Sequence, residues 1–200
     1  MLKRIPNLLT QFFLLEVNKS LHIEQISASV CCRCADYMAE RGKLMRRKDR
    51  EVTDEKQIAE IISKCHCCRL GFCDNGIPYI VPMNFGFEQI EHQFVFFFHS
   101  ATEGRKMEFI KSGKPVGFEL DTNYMLQEAD HPCGYSARFQ SIIGTGNISL
   151  LTDNNDKEYA LSQIMFHNTG KSEWNFPSSM LERVAVFKLV VKELSCKEHK

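Results

Sequence analysis

Two stretches of this chain hold residue types that could do chemistry at close spacing. The first is Ile77-Pro78-Tyr79-Ile80-Val81-Pro82-Met83-Asn84-Phe85-Gly86, an apolar strand-like run broken by two prolines. The second is Phe96-Phe97-Phe98-His99-Ser100-Ala101-Thr102-Glu103-Gly104-Arg105-Lys106, a strand that runs straight into a helix start. Proline has no backbone donor, so a strand with two of them leaves gaps in its ladder and suits a flat ligand lying against it. A helix N-terminus behind Gly104 that carries Arg105 and Lys106 suits a phosphate. Together the two stretches point to a phosphorylated, flat, aromatic cofactor.

Metal chemistry has weaker support. Cys65 and Cys68 have zinc-knuckle spacing, but a structural zinc needs four ligands, and only Cys73, His131 and Cys133 are loose candidates for the others. Small buried cysteines at a helix–strand junction account for the pair better, so no metal is expected. Cys31-Cys32-Arg33-Cys34 also lacks a second ligand pair nearby.

A chain of 200 residues with 44% hydrophobic content can build one domain with a substantial core. The charge is balanced, with 25 basic and 25 acidic residues, which argues against nucleic-acid binding. Nine cysteines, an odd number in a chain this rich in apolar residues, point to a reducing, cytoplasmic setting rather than a disulfide scaffold. No apolar run reaches the ~18 residues of a membrane span.

Residues 1–44 differ from the rest. Ile5, Leu8, Leu9, Phe12 and Phe13 have helical spacing behind Lys3 and Arg4, yet Pro6, Asn7, Thr10, Gln11 and Glu16 interrupt a signal-peptide pattern. The reading is an extension outside the fold, with Met45 as the natural start. After the charged run 46–53, Thr53 or Asp54 caps a helix whose Ile58, Ile61, Ile62 and Cys65 form one stripe. Strands are expected over 69–73, 77–85, 94–99, 116–121, 135–151 and 184–194, with Asp74-Asn75-Gly76 as a hairpin turn. Phe94–His99 is apolar throughout and reads as buried on both faces or lining a subunit contact. Residues 86–93 read as a polar turn, 123–134 as an irregular loop, and the chain from Ser195 as a polar tail. A second helix follows Ser100 or Thr102 and stops at Gly113; a third follows Asp153 or Asn154 and ends at His167–Gly170. In Ser141-Ile142-Ile143-Gly144-Thr145-Gly146-Asn147 the glycines fit a bend for barrel closure better than a ligand approach. The pattern of six strands with three flanking helices fits a small, mainly β antiparallel barrel.

The run Met45–Asp54, Cys68-Arg69-Leu70, Pro78–Gly86, His99-Ser100-Ala101 with Glu103-Gly104-Arg105-Lys106, and Ser141-Ile142-Ile143-Gly144 with Gly146 resemble, in order and spacing, the 5-nitroimidazole-resistance (NimA) group. That group is a branch of the pyridoxamine-phosphate-oxidase-like flavin-binding split barrels. The resemblance covers about residues 45–196, leaving 197–200 as a tail. It implies a six-stranded antiparallel split β-barrel that dimerises around FMN, and reduction of a nitroimidazole nitro group to an amine. By the same resemblance Val81, Pro82, Met83 and Asn84 lie along the isoalloxazine. His99, Ser100 and Ala101 approach the ring or ribityl chain, and Gly104, Arg105 and Lys106 hold the phosphate. Ser141, Ile142 and Gly144 are further cofactor candidates. The extension over 1–44, the cysteines at 65 and 67, and Tyr135 in place of a frequent tryptophan depart from the group.

His99 is the expected catalytic residue, because nitro reduction takes up protons and imidazole titrates near neutrality; a hydrogen bond in the cofactor wall is the other reading. Two further functions stay open. Pyridoxamine-phosphate-type oxidation needs a second basic cluster, and none like Arg105-Lys106 stands out. A non-catalytic flavin- or haem-binding protein could use His99 on iron.

Overall fold

In the structure, a computed structural model that describes residues 45–200, one unit spans Arg47–Lys200. The expectations for 1–44, including the helical apolar run and Cys31–Cys34, lie outside the described residues. Eight strands form one sheet: β1 (Glu51–Val52), β2 (Cys68–Asp74), β3 (Ile77–Met83), β4 (Gly86–Ile90), β5 (Gln93–Ser100), β6 (Pro115–Gln127), β7 (Ser136–Leu151) and β8 (Ala185–His199). The helices are α1 (Glu55–Ser63), α2 (Arg105–Ser112), α3 (Asn154–Thr169) and the short α4 (Ser178–Leu181). The strand order is β3-β2-β6-β7-β8-β5-β4, with β1 on β8, and every pairing is antiparallel.

β3 and β4 are the two ends of that order, so the sheet is not closed. Only Asn84 and Phe85 separate them. A three-step chain of trans peptides reaches at most about 11 Å, so the sheet must curl until its two edges face each other across a narrow seam. This is the split β-barrel. The linker is pinned by Phe85, which is fully buried, meets Phe96 edge-on at 5.6 Å and Phe87's neighbour His167 at 4.4 Å. The Phe85 carbonyl also accepts a hydrogen bond from Asn168 Nδ2 at 3.0 Å.

Strand alternation sorts β5 into two cores. Phe94, Phe96 and Phe98 face the barrel interior with Leu70, Phe118, Ile142 and Phe187, where α1 and α2 supply Ile58, Ile61, Ile62, Met107 and Ile110. Val95 and Phe97 face outward, under Ala160, Leu161 and Ile164 of α3. Burial on both faces, one of the two options open from the sequence, is the one found for this strand. Each fully buried Phe contributes about 1.5–3 kcal/mol. The caps follow the side chains: Asp54 accepts from Lys56 N, Asp153 from Asn155 N and Asp156 N, and left-handed Gly113 and Gly170 end α2 and α3.

Several expected boundaries are corrected. Among the described residues eight strands replace six. Residues 86–90 are strand, not turn; the turn sits at Glu91, whose φ is +54°. Residues 123–127 extend β6 past a register shift between Thr122 and Met125. The chain from Ser195 is no tail: Lys197, Glu198 and His199 pair with Ser141, Gln140 and Phe139. Side chains hold that end in place. Glu198 accepts from Gln57 at 3.0 Å and Gln140 at 2.7 Å, and His199 Nδ1 donates to the Ala137 carbonyl at 2.6 Å. No helix among the described residues is long and apolar enough to cross a membrane.

Candidate functional site

The proline strand is β3, and its place at the sheet edge explains its composition. Pro78 and Pro82 pair across to Cys73 and Arg69 of β2, and among the described residues no further strand lies beyond β3. On an edge strand a proline gives up a donor that would point away from the sheet, so the ladder loses nothing. Alternation turns Tyr79, Val81 and Met83 towards the core and leaves Ile80, Pro82 and Asn84 exposed. Of the candidates over 81–84, therefore, Pro82 and Asn84 present side chains to the surface. Val81 is half-buried and Met83 buried, so they would meet a ligand chiefly through backbone.

The seam brings the two chemical stretches together. Gly86 pairs with Phe97, so the chain entering β4 through Asn84 passes the end of β5, where His99 and Ser100 lie. From there Ala101–Gly104 leads into α2. Arg105 Nη2 donates to Asp74 Oδ2 at 3.3 Å, at the end of β2. Its guanidinium lies 4.6 Å from the centre of the Tyr79 ring on β3. Arg105 thus ties the α2 start to the β2–β3 hairpin, while Asn84 lies beside the end of β5 that carries His99.

The α2 start has the features an anion needs. Neither Ser100 nor Thr102 caps it, contrary to expectation. Ser100 is buried and its hydroxyl donates to the Ala101 carbonyl at 2.8 Å. The N-cap is Gly104, at φ +113°, which has no side chain to offer the first helical amides. Nothing lies within 4 Å of where a Gly104 Cβ would stand, so the approach is open. Unpaired helix-start amides beside two cations are a ready anion site.

His99 shares the outward face of β5 with Val95 and Phe97 but lies exposed at the strand end. Its base nonetheless sits among protein atoms, and this burial, with Lys106 close by, pushes the imidazole below its usual range. It is therefore largely neutral at pH 7.

β7 behaves differently. Two strands, β2 and β6, lie between it and β3, so a single chain does not bring Ser141, Ile142 and Gly144 to the seam. Ser141 faces outward, whereas Ile142 is fully buried in the core. Gly144 makes room for packing: a Cβ there would stand 2.5 Å from Phe118 Cζ. Gly146 sits at a register shift beside Leu189.

Clefts of about 390 to 440 Å³ lie elsewhere, one beside Glu51, Phe94 and Val191 and others around His199 and Lys200. They gather no pair of cations on a helix start, and geometry favours the seam. Cys65 and Cys68 point into the core, where burial pushes the Cys65 thiol up to about 12 and raises Cys68 as well. Such thiols stay protonated and inert. Two residues that touch Arg105 escaped sequence reasoning: Asp74, read as part of a turn, and Tyr79, read as part of a strand. The only signal for either was that both flank the Asn-Gly turn next to the proline strand.

A family model described as pyridoxamine 5'-phosphate oxidase matches residues 54–198. No curated protein matches the chain. Among solved structures, a Bacteroides thetaiotaomicron protein proposed to be a 5-nitroimidazole antibiotic resistance protein is 30% identical. The match covers 74% of this chain and 86% of that one, with a TM-score of 0.64. The flavocytochrome Anf3 of Azotobacter vinelandii shares the fold at 19% identity, with 80% and 74% of the two chains covered and a TM-score of 0.65. A Mycobacterium smegmatis protein described as binding FAD and haem does so at 14% identity, with 76% and 74% covered and a TM-score of 0.64. With an open antiparallel barrel, a proline-bearing edge and a family match running from the first helix to the end of the last strand, this chain is a member of the pyridoxamine 5'-phosphate oxidase family.

Proposed function

We propose that the protein is an FMN-dependent oxidoreductase that reduces the nitro group of 5-nitroimidazoles or similar small electron-poor compounds. One observation carries this reading: a proline-bearing sheet edge and an uncapped, doubly cationic helix start meet at the barrel seam. FMN is flat at one end and a phosphate monoester at the other, and the residues fit both. Arg105, Lys106 and the open amides behind Gly104 match a dianion. Pro82, Asn84 and the exposed edge of β3 match a ring system. The likeness to the Bacteroides protein supports the substrate class.

Bound FMN would supply reducing equivalents to a nitro group held near it. The chain's own part is to bind, orient and deliver protons. Each electron pair taken by a nitro group is matched by protons, and His99, exposed at the seam, can pass one from its imidazolium N–H. Because its pKa is lowered, that form declines as pH rises towards 7. We also propose a homodimer in the cytoplasm with the flavin between subunits, since Ser141 lies on a surface separate from the seam and would reach the cofactor from a second copy.

The visible spectrum of purified protein tests the cofactor. Oxidised flavin bands that match added FMN support the reading; a haem Soret band favours the haem-binding alternative, and a colourless protein that takes up no FMN rejects both. Reduction of metronidazole with reduced nicotinamide as donor then tests the reaction. Pyridoxamine-phosphate oxidation is less favoured, because Arg69, a cation on the same outer face, is already tied to Glu119 and Asp121.

A further inference from the structure

We infer that Tyr79 and Asp74 are positioning residues that hold the Arg105 guanidinium ready for the flavin phosphate. The inference rests on the reading of Arg105 as a phosphate ligand and adds how that ligand is set. A flexible, half-exposed arginine must lose its rotamer freedom before it can grip an anion. Here that ordering is built into the protein. The guanidinium lies over Tyr79 at 4.6 Å and near Phe109 at 6.0 Å. Tyr79 is itself fixed in a three-ring shelf, 5.6 Å from Phe109 and 6.1 Å from Phe72, which stack on each other at 5.3 Å. The shelf draws one ring from each of β2, β3 and α2, so the resting place of the guanidinium is as rigid as the barrel end.

Stacking fixes the plane of the fork, and Asp74 fixes its rotation within that plane. The carboxylate takes one N–H, on Nη2, of the five the group carries. Asn75 and Gly76, at φ +50° and +86°, form the tight turn that holds Asp74 at this corner. Four of the five donors remain to serve a phosphate at the α2 start.

The sign of one substitution separates positioning from plain electrostatics. Removing the Asp74 charge takes a negative group away from an anion site, which alone would tighten FMN. Loosening follows only if the lost contact lets Arg105 wander. The experiment is flavin titration of the full-length protein after flavin removal, comparing FMN with riboflavin, which lacks the phosphate. Asp74→Asn should weaken FMN binding about 3- to 10-fold and leave riboflavin within about twofold. In an Arg105→Ala background Asp74→Asn should weaken FMN no further. Tyr79→Leu should act in the same direction as Asp74→Asn. The inference is overturned if Asp74→Asn tightens FMN, leaves it unchanged, weakens both flavins alike, or adds fully to Arg105→Ala. If the wild-type protein binds FMN no better than riboflavin, the phosphate reading itself is wrong, and the inference falls with it.

Discussion

Gly86 and Ile164 meet backbone to backbone. A Cβ added to Gly86 would stand 2.5 Å from the Ile164 amide nitrogen, with no flexible side chain there to yield. This contact seats α3 on the first residue of β4 and fixes the chain just after the seam. Gly86→Ala should therefore push α3 off the sheet and cost about 2 kcal/mol or more of stability. Urea unfolding would measure it; a midpoint equal to wild type would mean that α3 does not pack this closely.

The charged tail of the cofactor depends on two side chains. Arg105→Ala combined with Lys106→Ala should give colourless protein and weaken FMN by about 100-fold or more, since each hydrogen bond to a charged group is worth about 1.5–3 kcal/mol. The fold should survive, because Arg105 is exposed and Lys106 only half-buried, and neither belongs to the core. Unchanged flavin content would remove the pair from the binding site.

His99 should matter to rate and not to cofactor content. His99→Ala is expected to keep its flavin while slowing nitro reduction by about 100-fold. In the wild type the step assisted by His99 should be fastest at acidic pH and fall as pH rises, with its midpoint below 6.5. A pH profile identical in wild type and variant would leave His99 as part of the wall.

Acid should destabilise the fold through His167. Burial lowers its pKa below the 6.5 of a free imidazole, although the hydrogen bond from Nε2 to the Cys65 carbonyl at 2.7 Å works against this. Below pH 6.5 the unfolded chain binds a proton that the folded one resists, so stability is full above 6.5 and falls as pH drops through the lowered value. His167→Gln, which can still donate to Cys65, should flatten that slope in urea titrations between pH 7 and 5. An unaltered slope would place the pH sensitivity elsewhere.

Much of this was legible in the sequence, for a physical reason. Asp54, Asp153, Gly113 and Gly170 announce helix ends through capping and left-handed geometry, and Asn75-Gly76 announces its turn in the same way. Phe94–Phe98 could be read as buried on both sides because no polar residue interrupts it. Strands without clean alternation stayed hidden. Lys197–His199 and Thr122–Gln127 are strand because β7 offers them partners, and their side chains carry no alternating pattern. Glu88 and Gln89 hid β4 behind the composition of a turn. At the site, the sequence showed the cations and the prolines, whereas the grip of Asp74 and Tyr79 on Arg105 exists only once β2, β3 and α2 meet. Gly144 shows the converse: it looked like a bend or a ligand approach, and Phe118 fills the space beside it.

The most direct test of the central claim is a crystal structure of the protein grown with FMN. The account predicts the isoalloxazine against β3 near Pro82 and Asn84, with the phosphate on Arg105, Lys106 and the amides at the start of α2. Flavin bound instead in the cleft beside Phe94 and Val191, or a seam filled by packed side chains with no flavin, would contradict it.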